Sequence, residues 1–432
     1  MILGTCLRAL ALATVVPPLP AAAAAAAAPV PVSPAAPVEC TTCVRPTHSW
    51  ATMPVSFHSA RDKSNALGEF SGADMAVIAK FPLVTIEKWQ GSLATDASNR
   101  SVFLWEEDAM VNAARAIKKV SPKTTVVVWF DTMLVYTGWN VDASNTTVNT
   151  TLNPDANAQC ATGHFRPAEY LERAGQSLLL RNKTKDSFGK QQLAITGYGH
   201  CHVYDHSQPA ARDYWRAMCL NMTASGVIDG CGADFSATGS NRWSDHTAEK
   251  IAANLGLDLA SAASWAAGHR QMMKDTQAAL GEGLLIGKDG AELGDHVNAV
   301  IDEGGCYKRN HTVNNLRNLT KRRQQNLPAS KSWVYQCHTS ELLDNATIAA
   351  FLAGAGEGHY LTIGNWHGGS QGHWGDAFAR PLGPPLADAT YNGTSWLREF
   401  ASGTKVVFTP HINHAGHDMG GTGAVFWGNK PL

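Results

Sequence analysis

Beyond residue 50 the chain alternates short β-branched runs with amphipathic stretches, so its hydrophobic period switches between about two and about 3.6 residues. The strand-like runs are Pro54–Phe57, Leu83–Glu87, Thr124–Phe130, Gly226–Asp234, Leu284–Lys288, Asn298–Glu303, Trp333–Cys337 and His359–Gly364. Helical patterns lie between them. Residues 106–119 place Met110, Ala113, Ala114 and Ile117 on one face, residues 211–225 do so with Tyr214, Trp215, Met218 and Met222, and residues 345–355 with Ile348, Phe351, Leu352 and Ala355. Eight strands with intervening helices predict an α/β chain folded as a (β/α)8 barrel.

The run Gly226–Ser236, GVIDGCGADFS, reads as a buried strand that delivers Asp234 to its C-terminal end. Gly226 suits the exit of the preceding helix, and Gly230 and Gly232 remove side chains where a barrel interior narrows or a ligand comes close. The C-terminal ends of barrel strands carry the chemistry of such folds, which makes Asp234 a catalytic candidate. The alternative is that Asp234 caps the helix that follows.

Two connections depart from a regular repeat. A long stretch runs from Asp131 to the helix at Ala211, with several sequons and cysteines and room for a hairpin. Such an insertion on the catalytic face is expected to be a lid or a substrate wall. The link from Leu285 to Glu303 is short for a full helix. After the last strand, TSWLREFASGTKVVFTP and GAVFWG predict a short β extension. The expected organisation is therefore a signal peptide over 1–28, a Pro/Ala-rich arm with a CxxC pair over 29–49, a catalytic barrel over 50–385, and a C-terminal β extension packed on it over 386–432.

Composition changes this picture little. The 432 residues carry 35 lysines and arginines against 36 aspartates and glutamates, which speaks against nucleic acid as a partner. The N-terminus does add something: Arg8, then an apolar run broken by Pro17, Pro18 and Pro20 and ending in alanines, has the form of a secretory signal cleaved within Ala21–Ala28. No stable membrane span is expected after its removal, and the oligomeric state is left open. The expected location is extracellular or the secretory lumen.

Of nine cysteines, Cys6 leaves with the signal, and Cys40, Cys43, Cys160, Cys201, Cys219, Cys231, Cys306 and Cys337 remain as an even set. In an oxidising compartment this implies up to four disulfides of open connectivity. Cys40 and Cys43 are expected to make two structural bridges from the arm to the core. Nine N-x-S/T sequons, at Asn99, Asn145, Asn149, Asn182, Asn221, Asn310, Asn318, Asn345 and Asn392, suit a glycosylated secreted protein.

Carboxylates fall at nearly every strand end: Glu87, Asp131, Asp234, Asp289, Asp302 and Glu303. Glycosidic hydrolysis needs two, one protonated to assist the leaving group and one ionised to attack or to activate water. Adjacent strand residues point to opposite sides, so only one of Asp302 and Glu303 can face the mouth, and Glu303 is the expected one. Any single carboxylate can instead be an ion-pair partner or a cap. Among thirteen tryptophans, Trp89, Trp129, Trp139, Trp243, Trp366 and Trp374 fall beyond strands or in loops, where indole faces can stack on sugars, whereas Trp215 and Trp265 on helices are packing residues.

Histidines cluster twice, as His200, His202 and His206 near Asp205, and as His411, His414 and His417. Neither has HExxH or paired CxxC spacing, so no metal and no cofactor is expected. The stretch from Tyr198 to Asp205 could instead supply polar groups to a sugar subsite. A P-loop is absent, and the glycine-rich GAGEGHYLTIG precedes a strand, the wrong order for a dinucleotide site.

Three segments resemble the barrel glycoside hydrolases that include the endo-α-1,4-polygalactosaminidases and related glycosidase groups. Gly226, Asp229, Gly230 and Asp234 match their fourth-strand pattern, Glu303 their later strand ending in glutamate, and Trp396, Arg398, Phe400, Gly403 and Val406 a closing pattern of the related groups. The resemblance implies a (β/α)8 fold, hydrolysis of O-glycosidic bonds, and Asp234 with Glu303 as the acidic pair. Around that pair, Glu87, Trp89, Asp131, Tyr198, Asp205, Asp289 and Trp366 are the expected substrate-binding residues. A non-catalytic carbohydrate-binding barrel and a metal-assisted hydrolase built on the histidine clusters are the alternatives.

Overall fold

A computed structural model describes residues 40, 42–59, 65, 67–88, 90, 106–135, 178–185, 187–194, 202–234, 248–288, 296–302, 332–338, 345–364, 374–412 and 418–428. All eight expected runs form strands of one closed barrel. In chain order they are β1 (Val55–His58), β2 (Leu83–Ile86), β3 (Thr125–Asp131), β8 (Gly230–Asp234), β9 (Leu284–Lys288), β10 (Ala299–Asp302), β11 (Ser332–His338) and β12 (His359–Gly364). Each pairs in parallel with its neighbours, and β12 closes on β1. Burial on both faces explains the apolar runs: β1, β2, β3, β8 and β9 are buried along their whole length.

Between β3 and β8, β4 (Leu134–Val135) pairs with β7 (His202–Val203), and β5 (Arg181–Lys185) makes a hairpin with β6 (Gln191–Leu193). Among the described residues the α-helices are α1 (Gly72–Ile78), α2 (Glu106–Val120), α3 (Pro209–Thr223), α4 (Ala248–Leu255), α5 (Leu259–Leu280) and α6 (Asn345–Gly354). Strand β8 begins later than the apolar run does, because the chain leaving α3 turns at Gly226 with φ +72°, a conformation that favours glycine.

The barrel interior is filled by Leu83, Val127, Trp129, Leu284, Ile286, Ala299, Ile301, Val334 and Tyr360. Trp129 is thus a core residue within β3 and not a loop platform. Gly232 makes room for it, since a Cβ there would overlap the indole. Trp374 likewise packs edge-on against Phe81 and Phe378.

The arm crosses the N-terminal end of the barrel and is held there without a covalent link to the core. Asp229 accepts from the Val44 and Val126 amides at 3.2 and 2.8 Å and pairs with Lys118 Nζ at 2.6 Å. Arg45 pairs with Glu282 at 3.1 Å, and the Tyr360 hydroxyl donates to the Pro46 carbonyl at 3.4 Å. The expected pair of arm-to-core bridges is corrected: Cys40 bonds to Cys43. The noncovalent contacts already dock the arm, and the Cys43 sulfur lies against Ile228 and Gly283. A second disulfide, Cys219–Cys231, staples α3 to β8. Cys160, Cys201 and Cys306 lie outside the described residues.

An antiparallel sheet of β13 (Thr390–Tyr391), β14 (Trp396–Glu399), β15 (Lys405–Ile412) and β16 (Asp418–Phe426) follows the barrel. It packs on α6, where Gly423 meets Ala346 and Ala349 and Arg398 donates to the carbonyls of Leu352 and Ala355. Helix α6 is accordingly buried without a break from Ile348 to Gly354. Residues from Ala35 to Leu432 form one compact unit.

Candidate active site

Strand alternation assembles the mouth. Thr85, Trp129, Gly232 and Ile286 are each followed two residues later by a charged side chain, namely Glu87, Asp131, Asp234 and Lys288. Ser56, which hydrogen-bonds Thr362, is followed in the same way by His58. Lys88 joins them from the residue after Glu87, and all six are buried.

The charges form one connected network. Lys88 Nζ lies 2.5 Å from Asp234 Oδ2, 3.1 Å from Glu87 Oε1 and 3.5 Å from Asp131 Oδ2. Lys288 Nζ takes the other oxygen of Asp234 at 2.9 Å. His58 Nε2 stands 2.7 Å from Glu87 Oε2, with its ring edge-on to Trp129 at 5.5 Å. Buried charges persist only when paired, and here each carboxylate has a cation or an imidazole against it.

The protonation states follow. Burial alone would raise the Asp234 carboxyl, but the ammonium groups of Lys288 and Lys88 outweigh it and hold Asp234 well below the usual carboxylate range. Burial alone would lower Lys88, yet Asp131, Asp234 and Glu87 together push it well above the ordinary lysine value. The site thus keeps an ionised carboxylate at a strand end, locked between two cations. Such a group can attack a carbon or take a proton, but cannot donate one.

Of the residues expected from sequence, Asp234, Asp131 and Glu87 are brought together. Trp89, Tyr198, Asp289, Glu303 and Trp366 lie outside the described residues. Asp205 is placed before α3, where its carboxylate accepts from the Ser207 amide and hydroxyl at 3.1 and 2.5 Å. Both bonds fall on Oδ1 and shape the turn that leads into α3. Asp229 belongs to the opposite end of the barrel, as described. His206 is fully buried, donates from Nε2 to the Thr132 carbonyl at 2.6 Å, and sits in an aromatic box with Trp265 and His269. Among the described residues no group of three or more histidine, cysteine, aspartate or glutamate side chains could hold a metal ion, and no helix is long and apolar enough to cross a membrane.

Lys88 and Lys288 are not among the residues expected from sequence, because a lysine there reads as a surface residue. The available signal was a lysine beside an acidic residue at two apolar strand ends, Glu87–Lys88 and Lys288–Asp289. A lysine that closes a fully apolar strand needs a buried anion.

Residues 155–404 match the family described as hypothetical glycosyl hydrolase family 15, a span that holds β8 to β12 and both Asp234 and Lys288. No curated protein sequence matches the chain. Among solved structures, the glycoside hydrolase domain of PelA from Pseudomonas aeruginosa is 11% identical, with 72% of this chain and 93% of that one covered at a TM-score of 0.35. A GH27 β-L-arabinopyranosidase from Geobacillus stearothermophilus is 11% identical, with 88% and 96% covered at 0.44. Amy13B of Eubacterium rectale is 10% identical, with 85% and 88% covered at 0.44.

Proposed function

This chain belongs to hypothetical glycosyl hydrolase family 15, and from that premise we propose that it is a secreted enzyme cleaving O-glycosidic bonds of a polysaccharide or glycan with two carboxylates. Asp234 is the ionised member, the nucleophile or the base, and Glu303 is the acid that protonates the leaving oxygen. The observation that carries the reading is the Asp234 carboxylate at the C-terminal end of β8, kept charged by Lys88 and Lys288. Glu303 has the odd-numbered parity of Ala299 and Ile301, which both belong to the interior cluster, and this supports it over Asp302.

Glu87 and Asp131 act on Lys88 rather than on sugar, because they are buried against its ammonium. Sugar contacts fall to Trp89, Tyr198, Asp289 and Trp366. The leader, the even cysteine set and the sequons support export and glycosylation, and the two disulfides among the described residues agree with an oxidising compartment.

The test is turnover of a glycan library by the purified protein, repeated with Asp234→Asn and Glu303→Gln. Each substitution is expected to abolish hydrolysis of whichever glycan is cleaved while the protein still melts cooperatively. Full activity in either variant removes the assignment.

A further inference from the structure

We propose that Thr132 is the positioning residue of this site, holding the backbone of the two carboxylate-bearing strand ends with His206 and His269 as its fixed partners. The role rests on the reading of Asp234 as the reacting carboxylate. Thr132 is fully buried and directly follows Asp131 at the end of β3. Its amide and its hydroxyl both donate to the Asp234 carbonyl, at 3.0 and 2.9 Å, which fills both lone pairs of that oxygen. One residue thereby ties the end of β3 to the end of β8.

Two imidazoles then hold Thr132 from outside the barrel. His269 on α5 lies 2.9 Å from the Thr132 hydroxyl oxygen through Nε2. The only hydroxyl hydrogen is committed to Asp234, so His269 must be the donor. His206 Nε2 donates to the Thr132 carbonyl. The two rings stand 5.0 Å apart, and Trp265 stacks on His269 at 5.4 Å and 2°. Gly268 is what lets α5 come this close, since a Cβ there would overlap the His206 carbonyl. A third ring, Trp215, donates from Nε1 to the Asp131 carbonyl at 2.7 Å.

Every one of these bonds converges on three anchor points, the Asp131 carbonyl, Thr132 and the Asp234 carbonyl. The side chains of the mouth are held by charges, while the backbone beneath them is fixed by hydroxyl, amide and ring N–H donors. A displacement of about 1 Å of a reacting group can cost about 100-fold in rate, so loss of this tie is expected to appear in the chemical step.

Thr132→Val keeps the shape, removes one donor from Asp234 O and strands the His269 proton, whereas Thr132→Ser keeps the hydroxyl. On a glycan the unsubstituted protein cleaves, the valine variant should lose about tenfold or more in kcat with KM little changed, and serine should restore most of it. A crystal structure of the valine variant should show Asp234 drawn away from Lys88 or Lys288. Unchanged kcat, serine as impaired as valine, or an unmoved carboxylate would overturn the proposal. If the valine variant fails to fold, His269→Gln, which retains a donor, against His269→Leu reads the same tie, and equal behaviour of those two counts against it. If the unsubstituted protein cleaves nothing, the hydrolase reading fails, and the carboxylate position alone decides the role of Thr132.

Discussion

Lys88 and Asp234 are 146 positions apart in sequence and meet at 2.5 Å at the mouth of the barrel, where the same ammonium also serves Glu87 and Asp131. One buried cation is therefore the common counter-ion of three buried carboxylates. Removing it leaves Lys288 on Asp234 and His58 on Glu87, but takes away the charge shared by all three carboxylates in a low-dielectric setting.

Lys88→Met is accordingly expected to destabilise the protein by about 3 to 5 kcal/mol at neutral pH, read as a shift of the urea midpoint. The loss should shrink as the pH is lowered and the carboxylates around position 88 take up protons. A variant as stable as the parent at pH 7 would mean that the network contributes nothing to the fold.

Acid sensitivity should come in two windows. Burial holds His206 at about 4, below its ordinary 6.5, so folded His206 resists protonation while the unfolded chain accepts it. Stability from this group is complete above about 6.5, declines as the pH falls toward 4, and is flat below that, a loss of about 3 kcal/mol in all. Asp234, held low by Lys288 and Lys88, keeps its contribution down to the ordinary aspartate range and loses it only as the pH falls further, through its folded pKa. His48 and His202, also held below the ordinary histidine value by burial, add to the upper window, so chemical denaturation at a series of pH values should show it shrink in His206→Gln while the lower one remains.

The Cys219–Cys231 bond closes a short loop between α3 and the strand that carries Asp234. Replacing both cysteines by alanine should cost about 3 kcal/mol, measured by calorimetry. Peptide mapping without reductant should also recover Cys40 linked to Cys43 within one peptide; finding either joined to a core cysteine would contradict the arm described above.

Asp229→Ala should release the arm. It removes acceptors from the Val44 and Val126 amides and leaves Lys118 unpaired, at a cost of about 2 to 4 kcal/mol. Limited proteolysis should then cut between residues 44 and 53 faster than in the parent. Equal cleavage rates would show that Asp229 is not what docks the arm.

The barrel was legible in sequence because strands such as β3 and β9 are buried on both faces, which leaves apolar runs too short for helices. Asp234 was legible for a related reason, since a carboxylate closing such a run has to lie at the end of a strand. Lys88 and Lys288 were not, because a lysine reads as a surface residue until closure of the barrel places its anion opposite. The anchors of the arm are hidden on the same ground. Its proline-rich approach and CxxC pair say nothing of Asp229 or Tyr360, which hold it from far along the chain.

That separation bears on how the protein is made. The arm leaves the ribosome before the barrel strands, yet Pro46 must wait for Tyr360, 314 positions later, and Arg45 for Glu282. Contacts of such range close slowly because the intervening chain must first be ordered. The floor of the barrel can therefore be sealed only after β12 has been synthesised, so the first described segment to emerge is among the last to settle, and its apolar residues Met53 and Trp50 stay open to chaperones until then.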